Sequence, residues 1–243
     1  MHGKRILVTG GSAGLGAAVV KHLAARGAIC AINFASDENR AKELVASLEG
    51  ASKHVLVRGS MFEKQDAQEV VAKAIQQLGG LDGVVSNAGW TRFGQFDDLN
   101  SVSDEDWQLC YKRNVLSHLW VMQAARAELA QNHGSFVITA SVAGLLPSGS
   151  SMAYAVSKAG AIHLTKSLAK ACKPEITVNC VSPGVLKTDW SKSFSEAQLA
   201  DTISANALGR LAELDDCAET ILMLLQTKSV TGQNIEISAG YRL

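Results

Sequence analysis

Tyr154 and Lys158 stand four residues apart in Tyr154-Ala155-Val156-Ser157-Lys158, a spacing that puts both side chains on one face of a helix. A phenol with an ordinary pKa of about 10 is a poor proton donor or acceptor near neutrality, but a nearby ammonium favours phenolate and lowers that pKa by ~1–3 units. Such a pair has the makings of a general acid or base acting on an oxygen atom. Taken alone, a tyrosine and a lysine at this spacing are more often a surface pair, so the surroundings decide. A second chemical signal lies near the start of the chain, in Thr9-Gly10-Gly11-Ser12-Ala13-Gly14-Leu15-Gly16. Glycines there permit a tight turn and let backbone approach a pyrophosphate, whose charge sits against the free N–H groups of a helix start.

Both signals need elements to hold them. Apolar β-branched runs alternate with helical periodicity along the chain, which argues for crossover units around a parallel sheet. Strands are expected over residues 6–9, 29–34, 54–58, 83–86, 135–139, 177–182 and 234–237. Helices are expected over 14–26, 38–48, 65–78, 104–131 and 151–171, the fourth starting near Ser103-x-x-Asp106, which resembles a capping box. The glycine turn thus joins the first strand to the first helix, and Tyr154 and Lys158 fall early in the fifth helix. Residues 188–210 break the rhythm, being polar and weakly amphipathic, which suits an inserted lid of one or two short helices.

At this point the sequence resembles the short-chain dehydrogenase/reductase superfamily, whose glycine turn has the T-G-x-x-x-G-x-G spacing seen here. The resemblance extends over nearly the whole chain. Asn87-Ala88-Gly89, after the fourth strand, resembles that family's N-A-G element, which supports the sheet near the adenosine ribose. Pro183-Gly184 followed by Val185 and Thr188 resembles its P-G-x-x-x-T segment, which holds the nicotinamide carboxamide and a nearby phosphate. Ser141, thirteen residues before Tyr154, and Asn114, within the long helical stretch, complete an Asn-Ser-Tyr-Lys tetrad like the family's. The resemblance implies one doubly wound, Rossmann-type α/β domain over residues 1–243, a parallel sheet with helices on both faces, and a substrate lid at 188–210 within it.

It also implies catalytic roles. In reduction Ser141 would hold the substrate carbonyl oxygen, Tyr154 would protonate it as hydride arrives at carbon, and Lys158 would lower the tyrosine pKa. Asn114 resembles the residue that fixes a water in the proton relay to the lysine. The turn residues Thr9, Gly10, Ser12, Gly14, Leu15 and Gly16 would hold the cofactor, with Tyr154 and Lys158 at its nicotinamide end.

The end of the second strand bears on which nicotinamide cofactor is meant. An acid about 20 residues past the glycines would bond a ribose 2′-hydroxyl and favour NAD. Phe34 occupies that place and Ser36 follows, so no carboxylate stands there to repel a 2′-phosphate, and NADP is favoured. Ala13 stands where NADP-linked relatives often carry arginine, leaving Ser36 or the more distant Arg40 to meet the phosphate, while Asp37 keeps NAD open. Ser60-Met61 replaces the family's usual aspartate-valine pair beside the adenine. The Asn33-Phe34-Ala35-Ser36 tract is similar to 3-oxoacyl-carrier-protein reductases and other ketoreductases, and residues 87–93 resemble fungal short-chain reductases.

For the substrate, Trp90, Val142, Leu146 and Trp190 are expected to line the pocket, with Met152 and Leu145 as further apolar wall and core packing as the competing role. His118 and His163 read as packing or interface residues. None of the six histidines forms a metal pattern, and no nucleophile elbow appears. The five cysteines are scattered and read as buried reduced thiols.

Composition narrows the remaining classes. The chain has 243 residues, 47% hydrophobic, which accommodates a large core, and 23 basic against 23 acidic side chains, which gives no field to attract nucleic acid or anionic lipid. No signal peptide and no apolar run of the ~20 residues needed to span a bilayer is recognised. The expectation is a cytoplasmic enzyme acting on a small carbonyl or alcohol, assembled as a homotetramer or homodimer through helices 104–131 and 151–171. Two alternatives stand: isomerisation or cyclisation with a bound nicotinamide, and a regulatory protein that binds cofactor after its catalysis has lapsed.

Overall fold

Strand residues point to alternate faces, so a strand covered on both sides must be apolar throughout. In the computed structural model, which describes residues 1–242, β1 (Arg5–Val8) sends Leu7 to one face and Ile6 and Val8 to the other, all at most 1% exposed. Six further parallel strands join it: β2 (Ile29–Phe34), β3 (Val55–Arg58), β4 (Gly83–Ser86), β5 (Ser135–Thr139), β6 (Thr177–Pro183) and β7 (Asn234–Ile237). Their order is β3-β2-β1-β4-β5-β6-β7. Winding reverses between β1 and β4, and loops that leave a sheet in opposite directions open a crevice at the strands' carboxyl ends.

Helices cover both faces. α3 (Lys64–Leu78), α5 (Ser117–Gln131) and α6 (Met152–Ala171) bury Val70, Val121, Leu129 and Leu168 on the Leu7 side. On the other side α1 (Gly14–Ala25), α2 (Glu38–Ala46) and α8 (Leu214–Gln226) pack against Ile6 and Val8. The doubly wound α/β architecture expected from the sequence is therefore the one observed.

Two elements differ from expectation. The sequence reading has no helix between Arg210 and Asn234, yet α8 buries Cys217, Ala218, Ile221, Leu222, Leu224 and Leu225 against α1 and the sheet. Each fully buried aliphatic side chain of that set contributes about 1.5–3 kcal/mol. The single helix expected over 104–131 is divided into α4 (Asp104–Tyr111), a π-helical turn at Lys112–Leu116, and α5. A π turn widens the helix locally and recurs at functional sites; here Asn114 is at its centre and fully buried.

Local caps set where helices start. The Ser103 hydroxyl accepts from the Asp106 N–H at 3.2 Å, one half of the expected box. Ser151 accepts from the Tyr154 N–H at 3.2 Å, so α6 starts at Met152 with Tyr154 in its first turn. Within residues 188–210 lie a 3-10 turn at Trp190–Ser193 and α7 (Glu196–Ala205), which has a full capping box between Ser195 and Gln198 and buries none of its residues. All five cysteines are buried and free. Among the described residues no helix is long and apolar enough to cross a membrane.

Candidate active site

The glycine turn is held by its neighbours. Gly10 and Gly14 adopt φ of +59° and +50°, the left-handed region open to glycine. A Cβ on Gly16 would collide with the Gly10 carbonyl oxygen. The Gly10 N–H donates to Asn33 Oδ1 at 3.1 Å, and Asn33 Nδ2 donates to the carbonyls of Val57 at 3.1 Å and Gly59 at 3.0 Å. Asn33, only 2% exposed, thus ties the turn to β2 and β3. Thr9 Oγ1 accepts from the N–H groups of Asn87 at 2.8 Å and Ala88 at 3.0 Å, and Asn87 Nδ2 donates back to the Thr9 carbonyl at 3.1 Å. The Asn87-Ala88-Gly89 loop and the turn therefore form one hydrogen-bonded unit across the crevice.

A cavity of about 690 Å³ runs along this unit and over the ends of β5 and β6. Of the residues expected at the cofactor, Gly10, Gly14, Leu15, Ser60, Met61, Asn87, Ala88, Gly89, Pro183, Gly184, Val185 and Thr188 line it. Thr9, Ser12 and Gly16 do not; Thr9 and Gly16 shape the turn from behind, as their contacts above describe. Phe34 does not line the cavity either, and the reason is strand alternation: Asn33 and Ala35 line it, so the intervening ring turns away and is buried at 4% exposure. Ser36 is exposed and outside the cavity, whereas Arg40 is part of its wall.

At the other end Ser141, Tyr154 and Lys158 line the same cavity. Ser141 follows β5 and caps a 3-10 turn, Val142–Gly144, its Oγ accepting from the Ala143 N–H at 3.1 Å. The same hydroxyl is hydrogen-bonded with the Tyr154 phenol, so the two groups meet at one point of the cavity. Lys158 is 3% exposed, and its Nζ donates to the Thr139 carbonyl at 2.9 Å. Burial pushes its pKa down to about 8.

The expected lowering of the Tyr154 pKa is not what the structure has. Burial drives the phenol up to about 12, against the opposing hydrogen bond with Ser141. Lys158 Nζ lies 5.6 Å from the ring centroid and spends a hydrogen bond on Thr139, so removal from water outweighs its charge.

Asn114 lies behind the cavity wall. Its Oδ1 accepts from the Trp90 N–H at 2.8 Å, and its Nδ2 donates to the Trp90 carbonyl at 2.8 Å and to Ser157 Oγ at 3.0 Å. Ser157 in turn donates to the Tyr154 carbonyl at 2.7 Å. A Cβ on Gly89 would stand 3.3 Å from Asn114 Oδ1 and 3.5 Å from Lys158 Nζ, so a glycine here lets amide and ammonium approach the β4 loop together.

Among the expected substrate contacts, Val142 and Trp190 line the cavity, with Trp190 tilted against Tyr154 at a centroid distance of 6.0 Å. Trp90 instead packs with Val102, Cys110, Ala153 and Trp107, its ring 4.8 Å from the Arg113 guanidinium carbon, because the Asn114 hydrogen bonds hold its backbone to the π turn. Leu145, Leu146 and Met152 also stay outside the wall. The sequence reading missed Ala35, Phe62 and Phe194 in the wall, and Tyr241 and Arg242 at the C-terminus, which no local motif marks. His118 is fully buried, bonded to Ser86 Oγ at 2.7 Å and pushed down to about 3 by burial, so it stays neutral as a packing residue.

The sequence pattern described as short chain dehydrogenase matches residues 4–199. A Streptomyces violaceoruber protein named as a granaticin polyketide synthase ketoacyl reductase is 35% identical over 240 residues, 98% of this chain and 95% of its own. The 3-oxoacyl-[acyl-carrier-protein] reductase of Escherichia coli K12 is 32% identical over 242 residues, covering 98% and 97%. Among solved structures, a Burkholderia cenocepacia short chain dehydrogenase in complex with NADP superimposes with a TM-score of 0.91 at 32% identity, covering 100% of this chain and 99% of that one.

Proposed function

The chain belongs to the short-chain dehydrogenase family, an NAD(P)-dependent oxidoreductase acting on CH–OH groups, and from that premise we propose that it works as a ketone reductase with NADP(H). The observation that carries the reading is that Ser141, Tyr154 and Lys158 line one cavity with the Gly10–Gly14 turn. The residues fit a dinucleotide: the turn offers a cradle that side chains would fill, and a Cβ on Gly14 would already touch the Thr188 methyl at 3.4 Å. When bound, the reduced nicotinamide supplies a hydride to the substrate carbon.

The chain's own residues supply the rest. Ser141 donates a hydrogen bond to the carbonyl oxygen and fixes its direction. Tyr154 gives its proton to that oxygen as charge builds there. A phenol pushed up to about 12 holds its proton throughout the neutral range, which is the state a donor needs and favours reduction over oxidation. Lys158 faces the same space with an ammonium that eases loss of the proton, and Asn114 holds the β4 loop and α6 in register behind both.

NADP is favoured over NAD because Asn33 in β2, and Ala35 and Arg40 just beyond it, none of them acidic, form the cavity wall there. Solved structures of similar proteins in complex with NADP or NADPH support this choice. The likeness to ketoacyl reductases makes 3-oxoacyl thioesters the first substrates to try. Residues 188–210 are read as a lid, the enzyme as cytoplasmic, and the assembly as a tetramer, which light scattering checks by a mass four times that of the chain. A panel of ketones and 3-oxoacyl thioesters, followed by loss of reduced-nicotinamide absorbance, tests the proposal. Turnover of a panel member with net NADPH oxidation is expected; product formed without net oxidation would replace it by isomerisation.

A further inference from the structure

Thr139 is the last residue of β5 and overhangs one of its neighbours. β4 ends at Ser86, opposite Ile138, while on the other side Thr139 still pairs with Val181 of β6. The sheet holds the backbone at this overhang, and the side chain meets the loop that leaves β4. There the Thr139 hydroxyl donates to Asn87 Oδ1 at 3.2 Å. Its main-chain carbonyl accepts from Lys158 Nζ at 2.9 Å. One residue therefore bonds the cofactor loop through its side chain and the buried ammonium through its backbone, and both partners line the cavity.

The Asn87 amide has one workable orientation. Its Nδ2 faces two carbonyl oxygens of the glycine turn, that of Thr9 at 3.1 Å and that of Gly10 at 3.4 Å. Turning the amide over would set Oδ1 against those two acceptors, so the oxygen must find its donor on the β5 side. Among the described residues that donor is the Thr139 hydroxyl. The turn has little room to follow a displaced amide, since a Cβ on Gly16 would stand 2.9 Å from Asn87 Nδ2. Two residues along the same loop, a Cβ on Gly89 would stand 3.5 Å from Lys158 Nζ. The ammonium is thus packed against the loop whose start Thr139 fixes.

We infer that Thr139 is a positioning residue for both ends of the cavity: its hydroxyl locks the Asn87 amide on which the glycine turn hangs, and its carbonyl sets where the Lys158 ammonium stands. The donor is what the place requires, because valine has the same branched shape and suits a strand equally well. The inference rests on the reading of the cavity as a dinucleotide and carbonyl site, and adds to that site a residue outside the turn and the tetrad.

Thr139→Val keeps the branched shape and the main-chain carbonyl and removes the donor, and Thr139→Ser restores the donor without the methyl. Circular dichroism checks that both are folded. Dissociation constants for NADPH and NADH are measured on the intact protein by fluorescence titration, and kcat and substrate KM on a ketone that the wild type reduces. Thr139→Val should weaken both dinucleotides alike, by about 5- to 20-fold, since it leaves Asn87 Oδ1 without its partner. It should lower kcat at saturating NADPH by about three- to tenfold with substrate KM within about twofold, and Thr139→Ser should bring all of these back to within about twofold of wild type. A Thr139→Ser protein as impaired as Thr139→Val means that the methyl packs and the hydroxyl does not act, which overturns the inference. Unchanged dinucleotide affinity in Thr139→Val breaks the link to the turn, and weakened affinity with unchanged kcat breaks the link to Lys158; either result overturns it as well. A wild-type protein that binds neither dinucleotide, or reduces no ketone, defeats the reading of the cavity and the inference with it.

Discussion

The ammonium of Lys158 lies 5.6 Å from the centre of the Tyr154 ring, with its hydrogen bond given to the Thr139 carbonyl at 2.9 Å. Both line one cavity, yet each member is shifted by burial toward its neutral form, Lys158 down to about 8 and Tyr154 up to about 12. Reduction needs the phenol protonated and the ammonium charged. Rate should therefore hold steady through neutrality and fall above about pH 8, when Lys158 loses its proton. A kcat/KM profile that instead rises from pH 8 to 10 would assign the titration to another group.

Stability should move the opposite way. Between the folded value of about 8 and the ordinary lysine value of 10.5, the unfolded chain keeps a proton that folded Lys158 has released, so unfolding free energy rises with pH across that window. Above about 10 the raised Tyr154 value works against this, because the unfolded phenol ionises first. Urea unfolding at pH 8 and pH 10 should show wild type gaining about 2 kcal/mol over Lys158→Met, a figure set by the slope of ~1.4 kcal/mol per pH unit. Parallel behaviour of the two proteins contradicts it.

Asn33 is expected to matter as much to the cofactor site as any glycine of the turn. Asn33→Ala leaves the Gly10 N–H and the Val57 and Gly59 carbonyls without their partner in a buried place. Unsatisfied buried groups cost about 1–3 kcal/mol each before relaxation, so a loss of ~2–4 kcal/mol in unfolding free energy is expected. Dinucleotide affinity should fall with it, by roughly tenfold. Unchanged affinity in a destabilised but folded variant would show that the turn holds its shape without β2.

The segment 188–210 should exchange its amide hydrogens early. α7 buries no residue, while β5 has four of its five residues buried. Local opening requires little where little apolar surface is covered, so these amides should be among the first to exchange in the free protein and gain protection with NADPH and substrate. Protection equal to that of β5 in the ligand-free protein would rule out a lid.

What the sequence disclosed followed from periodicity and from glycine. Runs such as Val84-Val85 and Phe136-Val137-Ile138 have one reading, a strand covered on both faces, and the glycine turn could hardly serve anything but a tight approach. α8 was legible in the spacing of Cys217, Ala218, Ile221 and Leu225, but it lay beyond the polar stretch that had already broken the strand-helix rhythm. The π turn was not legible, since Lys112–Leu116 are residues that an α-helix accepts equally well. Phe34 shows how a one-residue shift in a period of two exchanges the cavity face for the core, and Arg40 shows that the wall is finished by a side chain from the next helix. The phenol's raised pKa depends on burial, which spacing alone does not measure.

The most direct test of the central claim is the turnover of Tyr154→Phe on a ketone that the wild-type protein reduces, with NADPH affinity measured in parallel. The substitution removes one hydroxyl proton donor and keeps the ring that packs on Trp190. General acid catalysis contributes ~10²–10⁴-fold, so kcat should fall by at least about a hundredfold while the NADPH dissociation constant stays within about threefold. Ser141→Ala, which loses the hydrogen bond to the carbonyl oxygen, should fall by a comparable ~10²–10³-fold with the same cofactor affinity. If Tyr154→Phe keeps more than about a tenth of the wild-type rate, Tyr154 is not the proton donor and the ketone-reductase account fails.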